Sequence, residues 1–108
     1  VEALKVLGQS APTATVLTAM YTVPASTQAT VSTLFICNRS SSNAKFRISV
    51  AIAGAADTAA QYLYYDVVLL KNTTATATVG LTLGTGDVIR VYTDTADVVF
   101  SAFGVEVV

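Results

Sequence analysis

The side chains able to do chemistry are few, and their types close off most reactions. No histidine occurs in the 108 residues, and cysteine occurs once, at Cys37. Imidazole acid–base catalysis is therefore closed, and so are Ser-His-Asp and Cys-His centres. A zinc site built from several cysteines or histidines is closed as well. One cysteine makes no disulfide within the chain, which excludes a disulfide scaffold. Cys37 ends the apolar run Leu34-Phe35-Ile36-Cys37 and reads as a small buried hydrophobe.

Carboxylates are the acid–base groups that remain. Asp87, Asp94 and Asp97 lie at the two ends of one candidate strand and its turn. A calcium ion needs several converging oxygens, and Asp94-Thr95-Ala96-Asp97 could offer two. Aspartate also favours turns because its side chain bonds nearby backbone N–H groups, and that reading accounts for all three residues. A glycosidase pair needs two carboxylates placed across a cleft, and no spacing here defines one. Gly80-Leu81-Thr82-Leu83-Gly84-Thr85-Gly86 lacks the lysine of a phosphate loop and reads as turn glycines. Asn38-Arg39-Ser40 and Asn72-Thr73-Thr74 match the glycosylation pattern, a short pattern that arises by chance. No cofactor is expected.

The tyrosines of Gln61-Tyr62-Leu63-Tyr64-Tyr65-Asp66 carry the most information. Strict alternation puts Tyr62, Tyr64 and Asp66 on one strand face and Leu63, Tyr65, Val67 and Leu69 on the other. The second set is expected in the core and the first on the outer face. Outward tyrosines serve as subunit contacts, as cross-strand packing or as a stacking platform for a sugar or base. Leu34 and Ile36, in a run apolar on both faces, join Tyr62 and Tyr64 as expected partner-contact residues. On this reading Tyr62→Ala and Tyr64→Ala weaken assembly, and Tyr65→Ala unfolds.

These residues have to be held by strands. In Lys45-Phe46-Arg47-Ile48-Ser49-Val50-Ala51-Ile52, apolar Phe46, Ile48, Val50 and Ile52 alternate with the others, the mark of a half-buried strand. Further strands are expected over Ala3–Leu7, Thr15–Val23, Ala29–Asn38, Gln61–Leu70, Thr73–Val79, Asp87–Thr93 and Val98–Val107. Turn formers separate them, with Asp94–Asp97 expected as a hairpin connection. Thr74, Thr76 and Thr78 mark an edge or outer strand. The alanine-rich Ala51–Tyr65 is the one helical suspect, as a short turn around Ala55–Ala60 or as a longer helix. About eight strands in one domain over residues 1–108 predict an all-β antiparallel sandwich or small barrel, jelly-roll or Greek-key in type.

Apolar residues make up 53% of the chain and charged residues 12%, with a net charge of −1. That balance lacks the clustered basic residues nucleic acid demands. Mean hydropathy is +0.60, yet no run approaches the ~18–20 apolar residues of a membrane span. No signal-peptide pattern opens the sequence. Covering protein is the explanation that remains, so a homo-oligomer or larger assembly is expected.

Several segments together resemble small virion proteins of tailed bacteriophages. They are Leu4-Lys5-Val6-Leu7-Gly8-Gln9-Ser10-Ala11-Pro12, Tyr21-Thr22-Val23-Pro24, Gln61 to Asp66, Asp87-Val88-Ile89-Arg90-Val91-Tyr92 and Phe103-Gly104-Val105-Glu106. The likeness covers nearly the whole chain and contains no catalytic motif. It implies a non-enzymatic structural protein, a β-sandwich that acts as a trimer or other symmetric oligomer within the virion. A capsid decoration (cement) protein bound to the major capsid protein is the first expectation. A tail-fibre, spike or neck domain that binds a host glycan or another virion protein is the alternative.

Overall fold

Alternating apolar and polar residues leave each strand with one face to bury, and two sheets packed face to face satisfy that need. The computed structural model describes residues 1–108 and contains eight strands. They are β1 (Glu2–Ser10), β2 (Thr18–Thr22), β3 (Gln28–Asn38), β4 (Ala44–Ala51), β5 (Tyr62–Leu69), β6 (Thr74–Leu83), β7 (Val88–Thr93) and β8 (Val98–Val107). One sheet runs β1-β8-β3-β6 and the other β2-β7-β4-β5, and every pairing is antiparallel. The chain is an all-β antiparallel sandwich.

Only the β4–β5 connection stays within one sheet; all the others cross between the two. Asp94–Asp97 is therefore no hairpin. It carries the chain from β7 in one sheet to β8 in the centre of the other. The β4–β5 connection holds two single turns of 3-10 helix, Ile52–Gly54 and Ala59–Gln61, in place of a longer helix. β6 is an edge strand, as its threonines predict, and Thr74, Thr76 and Thr78 face solvent.

The core lies between the sheets. Leu34 and Ile36 enter it from β3, Phe46 and Ile48 from β4, Ile89 and Val91 from β7, and Phe100 from β8. Phe46 packs edge-on against Phe100 at 6.2 Å. Leu34 and Ile36 are each 1% exposed. Their expected role as partner contacts is thus corrected: β3 sends these side chains inward and presents Phe35 and Cys37 on its outer side. Ile52, expected inward, is 76% exposed because β4 ends at Ala51 and the chain turns out of the sheet.

The two sheets also share a polar link. Glu106 on β8 accepts from Tyr21 on β2 and from Lys5 on β1. Gly104, two residues earlier, lies so close to β3 that a Cβ there would fall 2.0 Å from the Thr30 carbonyl oxygen. The approach lies beside the bulge in β3 between Val31 and Thr33.

Candidate binding site

The outer side of β4, β5 and β7 carries a cluster centred on Arg47. Alternation along β4 turns Phe46 and Ile48 inward and leaves Arg47 outward. Tyr92 stands opposite it on β7, and β5 supplies Tyr62, Tyr65 and Asp66. The Arg47 guanidinium lies 4.2 Å from the Tyr65 ring centroid and 4.3 Å from that of Tyr92. It thus stacks on two aromatic rings, an attraction between the cation and the ring faces. Its edge donates to Asp66, from Nε to Oδ1 at 2.6 Å and from Nη2 to Oδ2 at 3.3 Å. This two-point pairing holds the Asp66 carboxyl below its ordinary range.

Tyr62 completes the wall. Its ring meets that of Tyr65 edge to face at 5.0 Å. Its hydroxyl donates to Asp57 Oδ2 at 3.0 Å, from the connection between β4 and β5. Burial raises the Tyr62 pKa first, and the bond to Asp57 raises it further. Arg47, Asp57, Thr58, Ala59, Tyr62 and Tyr65 line an open cleft of ≈ 450 Å³. That volume falls within the ~300–1,000 Å³ usual for small-molecule sites.

β5 reaches this arrangement through two bulges. Ser49 pairs with Tyr62, Ile48 with Tyr64 and Phe46 with Val67, so β5 spends an extra residue at each step. Leu63 is the first extra residue. Asp66, in the left-handed region at φ 52, marks the second. Each extra residue exchanges the strand's faces. Tyr62 and Asp66 face outward as alternation predicts. Tyr64 does not: it turns inward and packs against Phe46 at 5.8 Å. Tyr65, expected in the core, is 58% exposed. The outward pair is therefore Tyr62 and Tyr65, and Tyr64 is corrected to a core-packing residue.

Other expected groups have structural work. Asp87 accepts backbone N–H groups from Ala53 and Gly84, and Asp94 accepts one from Lys45. Asp87 lies at the opposite end of β7 from Asp94 and Asp97, so the three do not converge. No three metal-ligating side chains come together. Asn38 is buried, and its amide donates to the Ser42, Leu69 and Leu70 carbonyl oxygens.

A second surface lies on the β1-β8-β3 side of the sandwich. Leu4 and Val6 of β1 flank Val105 and Phe103 of β8, and Phe103 meets Phe35 of β3 edge-on at 5.5 Å. Leu4 is 89% exposed and Phe35 39%. This is an apolar stripe with no charged side chain among its members. The stripe went unread because its residues come from three strands far apart in sequence.

Comparison with protein-family models, with curated proteins and with solved structures returned no match.

Proposed function

We propose that this chain is a non-enzymatic structural protein of a tailed-bacteriophage virion, a decoration protein that binds the assembled capsid and stabilises it. The observation that carries the reading is the apolar stripe Leu4-Val6-Phe103-Val105-Phe35, in which Leu4, Val6 and Phe35 are exposed and Phe103 and Val105 half-buried. Contiguous exposed apolar side chains mark surfaces that another protein covers. The strand order supports it further. Two four-stranded sheets joined by crossing connections are compatible with a jelly roll, an architecture found in viral capsid and lectin domains. The sequence resemblance points the same way. The protein works as a homo-oligomer, a trimer on the strength of the resemblance. Binding only the assembled shell shifts the balance toward assembly by mass action.

The test is binding to purified capsids, read as copies per particle, beside light scattering of the free protein. The expected result is a high, symmetry-matched copy number, an oligomer in solution, and loss of both in Leu4→Ser/Phe35→Ser with the melting temperature kept. Scarce copies with a monomer in solution would sink the proposal.

A further inference from the structure

We infer that the Arg47–Tyr65 cleft is a binding site for a neutral pyranose sugar, a property separate from the shell binding proposed above. A sugar ring has one apolar C–H face and a rim of hydroxyls. It asks for an exposed aromatic ring beside both donors and acceptors. Tyr65 supplies the ring: Arg47 stacks over it, Tyr62 meets it at a right angle, and the side chain remains more than half exposed.

The polar groups are placed and partly committed. Asp57 uses Oδ2 to accept from Tyr62, which leaves Oδ1 as a free acceptor on the cleft wall. Arg47 spends Nε and Nη2 on Asp66, which leaves Nη1 as the free donor. Thr58 adds a hydroxyl at the rim. A vicinal diol fits such a carboxylate-and-guanidinium pair, because each hydroxyl donates to one and accepts from the other.

Charge decides between sugar classes. Arg47, the cation in the cleft lining, is already paired with Asp66, and Asp57 is the lining charge that has no ion-pair partner. An acidic sugar is repelled, and a neutral one loses nothing. The ring stack and ion pair also fix the side chains before a ligand arrives, which lowers the ordering cost of binding.

The test uses the intact isotope-labelled chain and amide nuclear magnetic resonance titrations. The probes are methyl glycosides of glucose, galactose, mannose and N-acetylglucosamine, with N-acetylneuraminic acid as the anionic comparison. At least one neutral glycoside is expected to shift the Arg47, Tyr62 and Tyr65 amides saturably, with a Kd of about 1–10 mM, ordinary for so small a ligand. Tyr65→Ala and Asp57→Asn are each expected to weaken it by about tenfold, with melting temperatures near that of the parent. Thr58→Trp, at an exposed rim position, keeps the test open should Tyr65→Ala fold poorly: it should block the cleft and abolish the shifts. The inference is overturned if no neutral glycoside shifts these amides, if N-acetylneuraminic acid binds as tightly, or if Thr58→Trp leaves the shifts unchanged. It is also overturned if Tyr65→Ala abolishes capsid binding while the parent binds no glycoside, since the cleft is then a protein contact.

Discussion

Tyr21 donates its phenolic proton to Glu106 Oε2 at 2.6 Å and so ties β2 of one sheet to β8 of the other. Lys5 donates to Oε1 of the same carboxylate at 2.8 Å. The Lys5 bond first, and the Tyr21 bond second, hold the Glu106 pKa below its ordinary 4.5. A depressed folded-state pKa adds stability that is present above pH 4.5 and is lost as the pH falls through the folded value. Thermal melts of Glu106→Gln between neutral pH and about pH 3 should fall less steeply than those of the parent. Equal slopes would remove the link from the account.

At the alkaline end the sign reverses. Burial, then the bond to Glu106, raises Tyr21 above its ordinary 10.0. Its contribution is complete below pH 10.0 and is lost as the pH rises through the raised value. Tyr21→Phe should melt with a weaker alkaline dependence, measured against the parent above about pH 10.

The tyrosines of β5 should separate by role. Tyr64→Ala removes an aromatic that packs on Phe46 and should cost about 2–3 kcal/mol, a fall in melting temperature of about 10 °C or more. Tyr65→Ala is expected to cost under about 1 kcal/mol, since the side chain is largely exposed. Leu34→Ala should behave like Tyr64→Ala. Calorimetry of the three variants checks the order, and a Tyr65→Ala loss equal to that of Tyr64→Ala would contradict it.

Those tyrosines also show how far the sequence could be read. Period-two runs such as Phe46-Arg47-Ile48 revealed the strands, their approximate bounds and the sandwich, because burial of one face is a local property of each strand. The Arg47 cleft was visible only in part. Tyr62 was placed outward, but Tyr64 and Tyr65 were exchanged, because no single strand announces where a bulge will add a residue. The pairing of Ile48 with Tyr64 depends on β4, and although aspartate tolerates the left-handed region, its type alone does not place a bulge at Asp66. Partnerships across long separations were equally hidden, Lys5 with Glu106 and Phe35 with Phe103 among them.

Gly104→Ala should be poorly tolerated although the residue sits in a strand. A Cβ would lie 2.0 Å from the Thr30 oxygen and 3.0 Å from the Val31 Cα, both backbone atoms that cannot swing aside. Strand separation at β3–β8 is the one relief, and a cost of about 3 kcal/mol or more follows. Gly80→Ala, with nothing within 4 Å of its Cβ, should be mild. Comparable denaturation midpoints for the two would contradict the close approach.

Asn38→Ala should destabilise by about 2–4 kcal/mol, because it strands the Leu69 carbonyl oxygen in a buried setting and frees the loop at Ser40–Ser42. Asn38→Asp should do no better, since a carboxylate cannot donate to those carbonyls. Urea titrations of both variants check it.

The strand order has a consequence for biosynthesis. β8, the last of the eight strands to be made, belongs between β1 and β3, and β7 belongs between β2 and β4. Neither sheet can close around a missing centre, so six finished strands wait as an open, sticky chain until the final ones arrive. Folding of the domain therefore waits for β8, and its non-local pairings make it slow. The same insertion serves the finished molecule. A strand locked on both edges cannot peel away singly, so the sandwich should open rarely and resist proteases well beyond its equilibrium stability.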